Sequence, residues 1–351
     1  MKRSQLFYEL PKERIAHSPL NPRGSSKLLI INRKSRNLLD KHFYDLPSFV
    51  TSDDVLVLNN TKVFPARLFG IDANKKPVEL LLLNPTGKKS EWIAIGKNIP
   101  QVNKNIYIEN VKARIISKAG RTATLLFDCS NEVFKQLLSQ YGHTPIPPYI
   151  HSDSSERSLR EKYQTTYAKR TGSVAAPTAG LHFTDNLLSK LIEKGVQIEE
   201  ITLHVGMGTF LPIQSENLKE HKMHNERFTL SKITAQNLNN AKQNGKRIIS
   251  VGTTTTRVLE ACSKNGVLTS QSGETDIFIY PPYKFDFVDA LITNFHLPGS
   301  TLLALVSALA SSPNTNDVFF DFETSLMGKA YSHAIENNYR FYSFGDACFI
   351  E

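Results

Sequence analysis

One stretch of the chain leads from small residues, a proline and a glycine into a histidine. It covers residues 173–184 (SVAAPTAGLHFT) and contains Thr178, Gly180 and His182. Small residues let a ligand approach the backbone closely, and Thr184 is a suitable N-cap for the amphipathic helix that follows. The stretch therefore predicts a turn whose backbone amides bind a ligand, with a turn that only packs as the alternative.

A second stretch places four threonines between a glycine and an arginine. The predicted strand 247–251 leads into Gly252, Thr253 and Thr254, and the run ends at Arg257. Backbone amides, hydroxyls and a guanidinium at a helix N-terminus form a geometry that suits a ligand. The motif is neither a Walker P-loop nor GxGxxG, so it does not specify a phosphate or a dinucleotide. Hydroxyls that only cap the helix are the alternative.

Two further junctions follow predicted strands. His204 is followed by Gly206 and Gly208, which indicates either close approach of a ligand or a β-bulge. Asn294 and His296 stand between a strand and a helix that a serine or threonine can cap. Ligands bind at the carboxyl ends of strands in open α/β sheets, so we expect the junctions to form one site.

Other residues bear on the type of chemistry. His221 and His224 could share a helical face as metal ligands, but Lys222 lies between them and no HExxH context completes a site. His224 with Glu226 suits proton transfer better. The chain contains no GxSxG elbow and no catalytic-cysteine signature, which disfavours hydrolysis through an acyl enzyme. Its three cysteines have no CxxC spacing, which argues against a zinc ribbon and a disulfide framework.

Short strands separated by turn residues predict a small antiparallel barrel in the first half of the chain. The predicted barrel strands are Val78–Leu83, Trp92–Ile95, Asn105–Ile108, Val111–Ile116 and Thr122–Phe127. The later part alternates helices with strands, which is typical of a layered α/β sheet. We predict helices at 185–194, 232–243, 256–264 and 300–310, and strands at 198–205, 247–251, 276–280 and 288–293.

The N-terminal part belongs with the larger unit, because residues 27–32 and 55–59 are apolar strands of the buried type. We therefore expect an α/β domain formed by residues 1–61 and 151–351, with an inserted barrel domain at 62–150.

Charge and hydropathy narrow the class of protein. The 351 residues include 42 lysines and arginines against 33 aspartates and glutamates, a formal charge of +9 that favours a polyanionic partner. These charges are dispersed rather than gathered in one run. No apolar run approaches the roughly 20 residues of a membrane span, and the N-terminus lacks a secretory apolar core, so we expect a cytoplasmic protein without membrane contact. Without a coiled-coil heptad, a monomer is expected.

Several motifs in order along the chain resemble one enzyme family. They are DVLVLNNTKVFPAR (54–67), YQTTYA (163–168), residues 173–184, HVGMGTF (204–210), GTTTTR (252–257), DIFIY (276–280), TNFHLPGS (293–300) and YRFYSFGDA (339–347). Together they resemble the S-adenosylmethionine:tRNA ribosyltransferase-isomerases of queuosine biosynthesis, over nearly the whole chain.

The resemblance implies a layered α/β/α domain with a mixed sheet and an inserted antiparallel β-barrel. It also implies transfer of the ribosyl part of S-adenosylmethionine to the aminomethyl group of 7-aminomethyl-7-deazaguanine at the tRNA wobble position. The products are epoxyqueuosine-tRNA, adenine and methionine. S-adenosylmethionine is then a consumed substrate, with no metal and no further cofactor, and the basic charge suits docking of an anticodon stem-loop.

Histidine and glutamate suit this chemistry, because the sulfonium acidifies the neighbouring ribose protons and the departing adenine needs an acid. The candidate catalytic residues are His182, His204, His224, Glu226 and His296. The candidate substrate-binding residues are Arg67, Thr178, Gly180, Gly206, Gly208, Gly252, Thr253, Thr254, Arg257 and Asn294.

Several positions depart from the family pattern. Gly24 replaces an aspartate, Thr255 and Thr256 replace a Ser-Val pair, and Pro282 replaces a glycine. Two other functions stay open at this point: an S-adenosylmethionine-dependent RNA methyltransferase, and a non-catalytic tRNA-binding protein.

Overall fold

The structure, a computed structural model, describes residues 1–147, 155–206 and 212–351. The strands in chain order are β1 (Lys27–Ile31), β2 (Leu38–His42), β3 (Asp54–Asn59), β4 (Thr61–Val63), β5 (Arg67–Asp72), β6 (Pro77–Pro85), β7 (Glu91–Lys97), β8 (Asn105–Ile108), β9 (Val111–Ala119), β10 (Thr122–Phe127), β11 (Arg170–Ser173), β12 (Gln197–Leu203), β13 (Glu226–Leu230), β14 (Arg247–Val251), β15 (Ser263–Lys264), β16 (Val267–Leu268), β17 (Gln271–Thr275), β18 (Ala290–Asn294) and β19 (Ala347–Ile350). The helices are α1 (Asn131–Tyr141), α2 (Glu156–Lys162), α3 (Asp185–Glu193), α4 (Lys232–Gln243), α5 (Thr253–Cys262), α6 (Thr301–Leu309) and α7 (Leu326–Glu336).

The larger unit is built on one mixed sheet. Within the described residues its strand order is β17-β13-β12-β3-β14-β18-β19-β1-β2. The four central strands β12, β3, β14 and β18 are parallel to one another, and β19 runs antiparallel to β18. The carboxyl ends of the parallel strands therefore lie at the same edge of the sheet.

Helices cover both faces of this sheet. In β1, Leu28 and Ile30 pack in the core that contains α3, whereas Leu29 and Ile31 pack in the core that contains α6 and α7. Helices α4 and α5 pack with Val55 and Val57 of β3 on the face opposite α3. Successive strand residues thus point to opposite faces, as the pleat requires. The predicted α/β/α layering is confirmed.

Strands β5 to β10 close into an antiparallel barrel, in the order β10-β7-β6-β5-β8-β9. Its interior is filled by small and aliphatic side chains such as Leu68, Leu80 and Ile106. Helix α1 covers one side, where Phe134 lies 5.5 Å from Trp92 between ring centroids. The predicted barrel is confirmed, with β5 as a strand that the sequence pattern did not indicate. The predicted domain boundary at residue 150 lies outside the described residues.

Two local predictions are wrong. Residues 276–280 were expected to form a strand, but the strand is β17, which ends at Thr275. Its partner β13 begins at Glu226, which pairs with Thr275, so pairing cannot continue. Ile279 is buried nonetheless, which explains its apolar character. Helix α5 begins at Thr253 rather than at residue 256, and Thr253 to Thr256 form its first turn.

Candidate active site

A narrow cleft with a volume of about 30 Å³ lies at the carboxyl ends of β14 and β18. Its described lining has neutral side chains: Ala176, Pro177, Thr178, Ala179, Val205, Gly252, Thr253, Thr254, Thr293, Asn294, Phe295, His296, Leu302, Tyr342 and Ser343. Six of the predicted site residues are in this set, so three of the sequence junctions do meet in one place.

Helix α5 points its N-terminus into the cleft without a side-chain cap. Its N-cap is Gly252, and no side chain accepts a hydrogen bond from the first turn. Each other α-helix in the described residues has a capping serine or threonine. The first amides of a helix have no partner within it and carry partial positive charge. This end of the cleft therefore suits a carboxylate or another anion.

The threonines of this turn have separate roles. Thr255 Oγ1 donates to the carbonyl of Val251 at 2.7 Å, and Thr256 Oγ1 lies 2.7 Å from Ser250 Oγ. Thr254 Oγ1 accepts from Asn59 Nδ2 at 3.3 Å. None of these hydroxyls acts as the N-cap. Gly252 has a φ of 85°, a conformation that favours glycine, so it fixes the turn between strand and helix.

Asn294 connects the cleft to a buried polar network. Its Oδ1 accepts from Thr178 Oγ1 at 3.0 Å, and its Nδ2 donates to Nε2 of His182 at 3.1 Å. Nδ1 of His182 lies 2.7 Å from Ser26 Oγ, and the ring stacks on Phe43. Because Nε2 accepts from an amide, Nδ1 carries the proton and the imidazole is neutral.

Burial sets the protonation state of His182. Removal from water, reinforced by the charges of Arg340 and Arg23, lowers the pKa of His182 to about 3. Both ring nitrogens have protein partners, so the residue holds Asn294 in place. It has no ring nitrogen left for a substrate.

His296 lines the cleft itself. Its Nε2 lies 3.1 Å from Thr293 Oγ1, and its backbone N–H donates to the Tyr331 hydroxyl at 3.0 Å. The Tyr8 hydroxyl donates to its carbonyl at 2.5 Å. Burial lowers the pKa of His296 to about 3, so the ring is neutral at physiological pH. Among the candidate histidines, this one is placed to contact a molecule in the cleft.

Glu226 and Arg257 form a buried ion pair. Glu226 Oε2 accepts from Arg257 Nη1, and Glu226 Oε1 accepts from the backbone of Gly206 at 2.9 Å. Arg257 Nε also donates to the carbonyl of Ile277 at 3.2 Å. Each side chain is 3% exposed or less. The pair thus joins α5 to the backbone after β12, next to Val205 of the cleft.

His204 lies at a different surface. Its Nδ1 lies 2.8 Å from Thr61 Oγ1, and its ring packs on Gly172, where a Cβ would come within 2.7 Å of it. It lines a separate polar depression with residues such as Asn60 and Glu200. Burial, with a smaller contribution from Arg227, lowers the pKa of His204 to about 4.

The remaining candidates lie outside the cleft lining. Arg67 is in β5, where its Nη2 donates to the carbonyl of Ile146 at 3.0 Å. His224 is exposed. Gly180 is buried, and a Cβ there would come within 2.0 Å of the Tyr167 hydroxyl, so packing accounts for this glycine. Gly208 lies outside the described residues.

Tyr342 of the cleft lining and Asn59 beside it were not predicted. Asn59 is the last residue of the buried strand β3, and its Oδ1 accepts from the backbone of Leu203 at 3.0 Å, which ties β3 to β12. Tyr342 has a φ of 75°, which is uncommon for a bulky residue and cannot be read from sequence. The polar residue ending a buried strand was the available signal for Asn59.

A larger depression lies at the opposite edge of the sheet, beside Arg33, Arg36 and Arg247. Two of these arginines are engaged by Asp317, Asp54 and Glu351. Across the parts of the chain that the structure describes, no three His, Cys, Asp or Glu side chains are grouped to hold a metal, and no helix is long and apolar enough to cross a membrane.

Comparisons with known proteins agree along the whole chain. Residues 3–350 match the family described as "Queuosine biosynthesis protein". Enzymes named S-adenosylmethionine:tRNA ribosyltransferase-isomerase from Natranaerobius thermophilus and a Sulfurihydrogenibium species are each 44% identical, with full coverage of both chains. A crystal structure of an S-adenosylmethionine tRNA ribosyltransferase from Thermotoga maritima has 32% identity and a TM-score of 0.55, covering 99% of this chain and 100% of that one.

Proposed function

Because the chain belongs to the queuosine biosynthesis protein family, we propose that it transfers and isomerises the ribosyl moiety of S-adenosylmethionine onto tRNA. The acceptor is the aminomethyl group of 7-aminomethyl-7-deazaguanine at the wobble position, and the products are epoxyqueuosine-tRNA, adenine and methionine. The observation that carries this proposal is the full-length 44% identity to enzymes of that name. The methyltransferase and binding-protein alternatives are not favoured.

S-adenosylmethionine binds in the cleft at the carboxyl ends of β14 and β18. Its methionine carboxylate is placed at the uncapped N-terminus of α5, where the amides of Thr253 and Thr254 meet an anion. The Thr253 hydroxyl, the Asn294 amide and the His296 ring supply polar contacts, and Leu302 supplies apolar surface. The described lining residues carry no charge, so no side chain of the cleft repels the positively charged sulfonium or forms an ion pair with it.

His296 is our choice for proton transfer at the ribose. A base must reach the reacting group and must be unprotonated. His296 lines the cleft, and burial lowers its pKa, which keeps the ring neutral at physiological pH and also makes it a weaker base than an exposed histidine. His182 has both ring nitrogens occupied. His204 and His224 lie away from the cleft lining.

His182, Glu226 and Arg257 act as positioning residues. His182 orients Asn294, and the Glu226–Arg257 pair fixes α5 against the backbone of Gly206. S-adenosylmethionine is consumed as a substrate, and the reaction we propose needs no further cofactor. The tRNA partner places the enzyme in the cytoplasm.

A direct test supplies the protein with S-adenosylmethionine and tRNA carrying the aminomethyl-deazaguanine, and analyses small molecules and digested nucleosides by mass spectrometry. We expect adenine, methionine and epoxyqueuosine in equal amounts. Formation of S-adenosylhomocysteine with a methylated nucleoside would establish methyl transfer instead. Intact reactants with bound tRNA would identify a binding protein.

A further inference from the structure

The basic charge of this protein is concentrated in the barrel segment. Residues 62–147 contain thirteen lysines and arginines against six aspartates and glutamates, a net +7 of the +9 carried by the whole chain. All other residues together contribute +2. No single run of charge reveals this, because the cations are spread over several strands and turns. A domain with such a charge attracts a polyanion.

The outer face of the barrel also carries apolar side chains in adjacent strands. On β5, Phe69 and Ile71 point outward and are 52% and 43% exposed, and on β8 Tyr107 is 39% exposed. Ile71 is directly paired with Tyr107 across the two strands. Outward residues of an antiparallel sheet are usually polar, so barrel packing does not account for this group. We call Phe69, Ile71 and Tyr107 the aromatic face.

Cations border the aromatic face. Tyr107 is paired with Lys112 of β9, and Ile71 is paired with Pro77, next to Lys75 and Lys76 in the turn between β5 and β6. Lys75 and Lys76 are exposed and have no ion-pair partner among the described residues. Lys112 pairs with Asp128 at 3.0 Å in an exposed position, where an ion pair contributes little to the folding free energy.

The aromatic face continues toward the larger unit. The ring of His143 meets Phe69 edge-on with centroids 5.2 Å apart, and the backbone N–H of His143 donates to the carbonyl of Arg67 at 2.8 Å. His143 Nδ1 lies 3.7 Å from Glu156 of α2. The aromatic face therefore ends beside His143, which lies between the barrel strand β5 and helix α2.

We propose that the aromatic face binds unpaired loop nucleotides of the tRNA substrate, which rests on the proposed function. Bases stack on Phe69 and Tyr107, while Lys75, Lys76 and Lys112 contact phosphates. Aromatic side chains on a barrel surface with adjacent cations are the combination that binds single-stranded nucleic acid in general. Charge complementarity selects RNA over a second copy of this basic chain as the occupant.

The test measures tRNA affinity by fluorescence anisotropy, together with the KM for each substrate. Phe69→Ala with Tyr107→Ala is expected to weaken tRNA binding about tenfold or more, with the KM for S-adenosylmethionine within about twofold of wild type. Phe69→Tyr with Tyr107→Phe keeps both rings and should retain wild-type affinity. Phe320→Ala removes an equally large side chain that is 71% exposed outside the barrel, and serves as the matched control.

Lys75→Glu with Lys76→Glu replaces exposed side chains only, and keeps the proposal testable if the aromatic variant fails to fold. We expect weaker tRNA binding with a shallower salt dependence. Unchanged affinity in folded aromatic and lysine variants would overturn the proposal. The proposal would also be overturned if the wild type is a dimer and the aromatic variant is a monomer with unchanged tRNA affinity. If the wild type turns over and the variants match it, only this proposal fails; without wild-type turnover, the proposed function fails.

Discussion

The three buried or partly buried histidines near the sheet edge differ in what their ring nitrogens contact. Both nitrogens of His182 are engaged by Ser26 and Asn294, whereas Nε2 of His296 meets Thr293 in the cleft wall. His204 is held by Thr61 at a separate surface. Similar residue types at similar junctions thus have different roles, and contacts made at long sequence separation decide between them.

Replacing His296 with Asn should lower kcat by roughly 10²- to 10⁴-fold, since it removes the proposed proton acceptor. Because asparagine keeps a polar side chain in the cleft, the KM for S-adenosylmethionine should change far less than kcat. Steady-state kinetics with modified tRNA as acceptor measures both constants. His204→Asn is the matched control, and a large kcat loss in that variant with none in His296→Asn would reverse the assignment.

Thr253→Val removes one hydroxyl from the cleft while preserving the shape of the side chain. We expect the KM for S-adenosylmethionine to rise roughly 2- to 12-fold, the range for a neutral hydrogen bond, with the KM for tRNA unchanged. Thr269→Val changes an exposed threonine outside the cleft and should have no effect. An equal rise of the KM for S-adenosylmethionine in both variants would show that the Thr253 hydroxyl does not contact this substrate.

Buried neutral His182 makes the protein sensitive to acid. Its folded pKa of about 3 is below the unfolded value of about 6.5, so the unfolded chain binds more protons between these two pH values. This contribution to stability is therefore present above pH 6.5 and is lost as the pH falls toward 3.

His182→Gln should flatten the fall of the unfolding free energy below pH 6.5 by up to about 1.4 kcal/mol per pH unit. Urea titrations from pH 8 to pH 4.5 measure it. A variant whose stability falls as steeply as that of the wild type would show that His182 is protonated in the folded state.

The site depends on one strand-to-helix connection, between β14 and α5. Gly252 adopts a φ of 85° and a ψ of 149°, a region nearly restricted to glycine, and it places the first turn of α5 against the cleft. Every other α-helix in the described part of the chain begins with a side-chain cap, for example Ser130 of α1. The absence of a cap on α5 leaves its amides available for a ligand.

Gly252→Ala and Ser130→Ala should separate stability from function. Gly252→Ala should lower the unfolding free energy by about 1–3 kcal/mol because of backbone strain. Ser130→Ala should lower it by about 0.5–2 kcal/mol because a helix cap is lost. Only Gly252→Ala should also raise the KM for S-adenosylmethionine. Equal effects on that KM would contradict a binding role for the first turn of α5.

Much of the fold and part of the site could be predicted from these elements. Apolar strands and capped helices gave the layered sheet, and parallel strands bring Thr253 and Asn294 to one edge because their carboxyl ends coincide. The Glu226–Arg257 pair could not be predicted, since β13 and α5 are joined by tertiary packing alone. The end of β17 could not be predicted either. It is determined by the start of its partner strand β13 and not by the apolar pattern of residues 276–280.

At the scale of the whole molecule, the two units have different charge. The barrel segment carries most of the net positive charge, while the described cleft lining in the larger unit is neutral. We infer a division of labour in which the barrel contributes to tRNA attraction and the sheet edge binds S-adenosylmethionine. The domain limits at 61/62 and 150/151, and the monomeric state, stay predictions.

Raising the salt concentration should therefore affect the two substrates differently. Between 50 and 200 mM salt, tRNA affinity should fall by about tenfold or more, because bound phosphates release counterions. S-adenosylmethionine affinity should stay within about twofold. Isothermal titration at both salt concentrations measures this, and an equal salt dependence for the two substrates would contradict the division.

Two isotopic labels, followed from S-adenosylmethionine into tRNA, distinguish ribosyl transfer from methyl transfer. One sample carries ¹³C in the ribose and the other carries ¹³C in the methyl group, and each is incubated with the protein and tRNA bearing the aminomethyl-deazaguanine. Mass spectrometry of the digested nucleosides should find the ribose label in epoxyqueuosine and the methyl label in released methionine. A methyl label in the tRNA nucleoside, with the ribose label left in S-adenosylhomocysteine, would contradict ribosyl transfer.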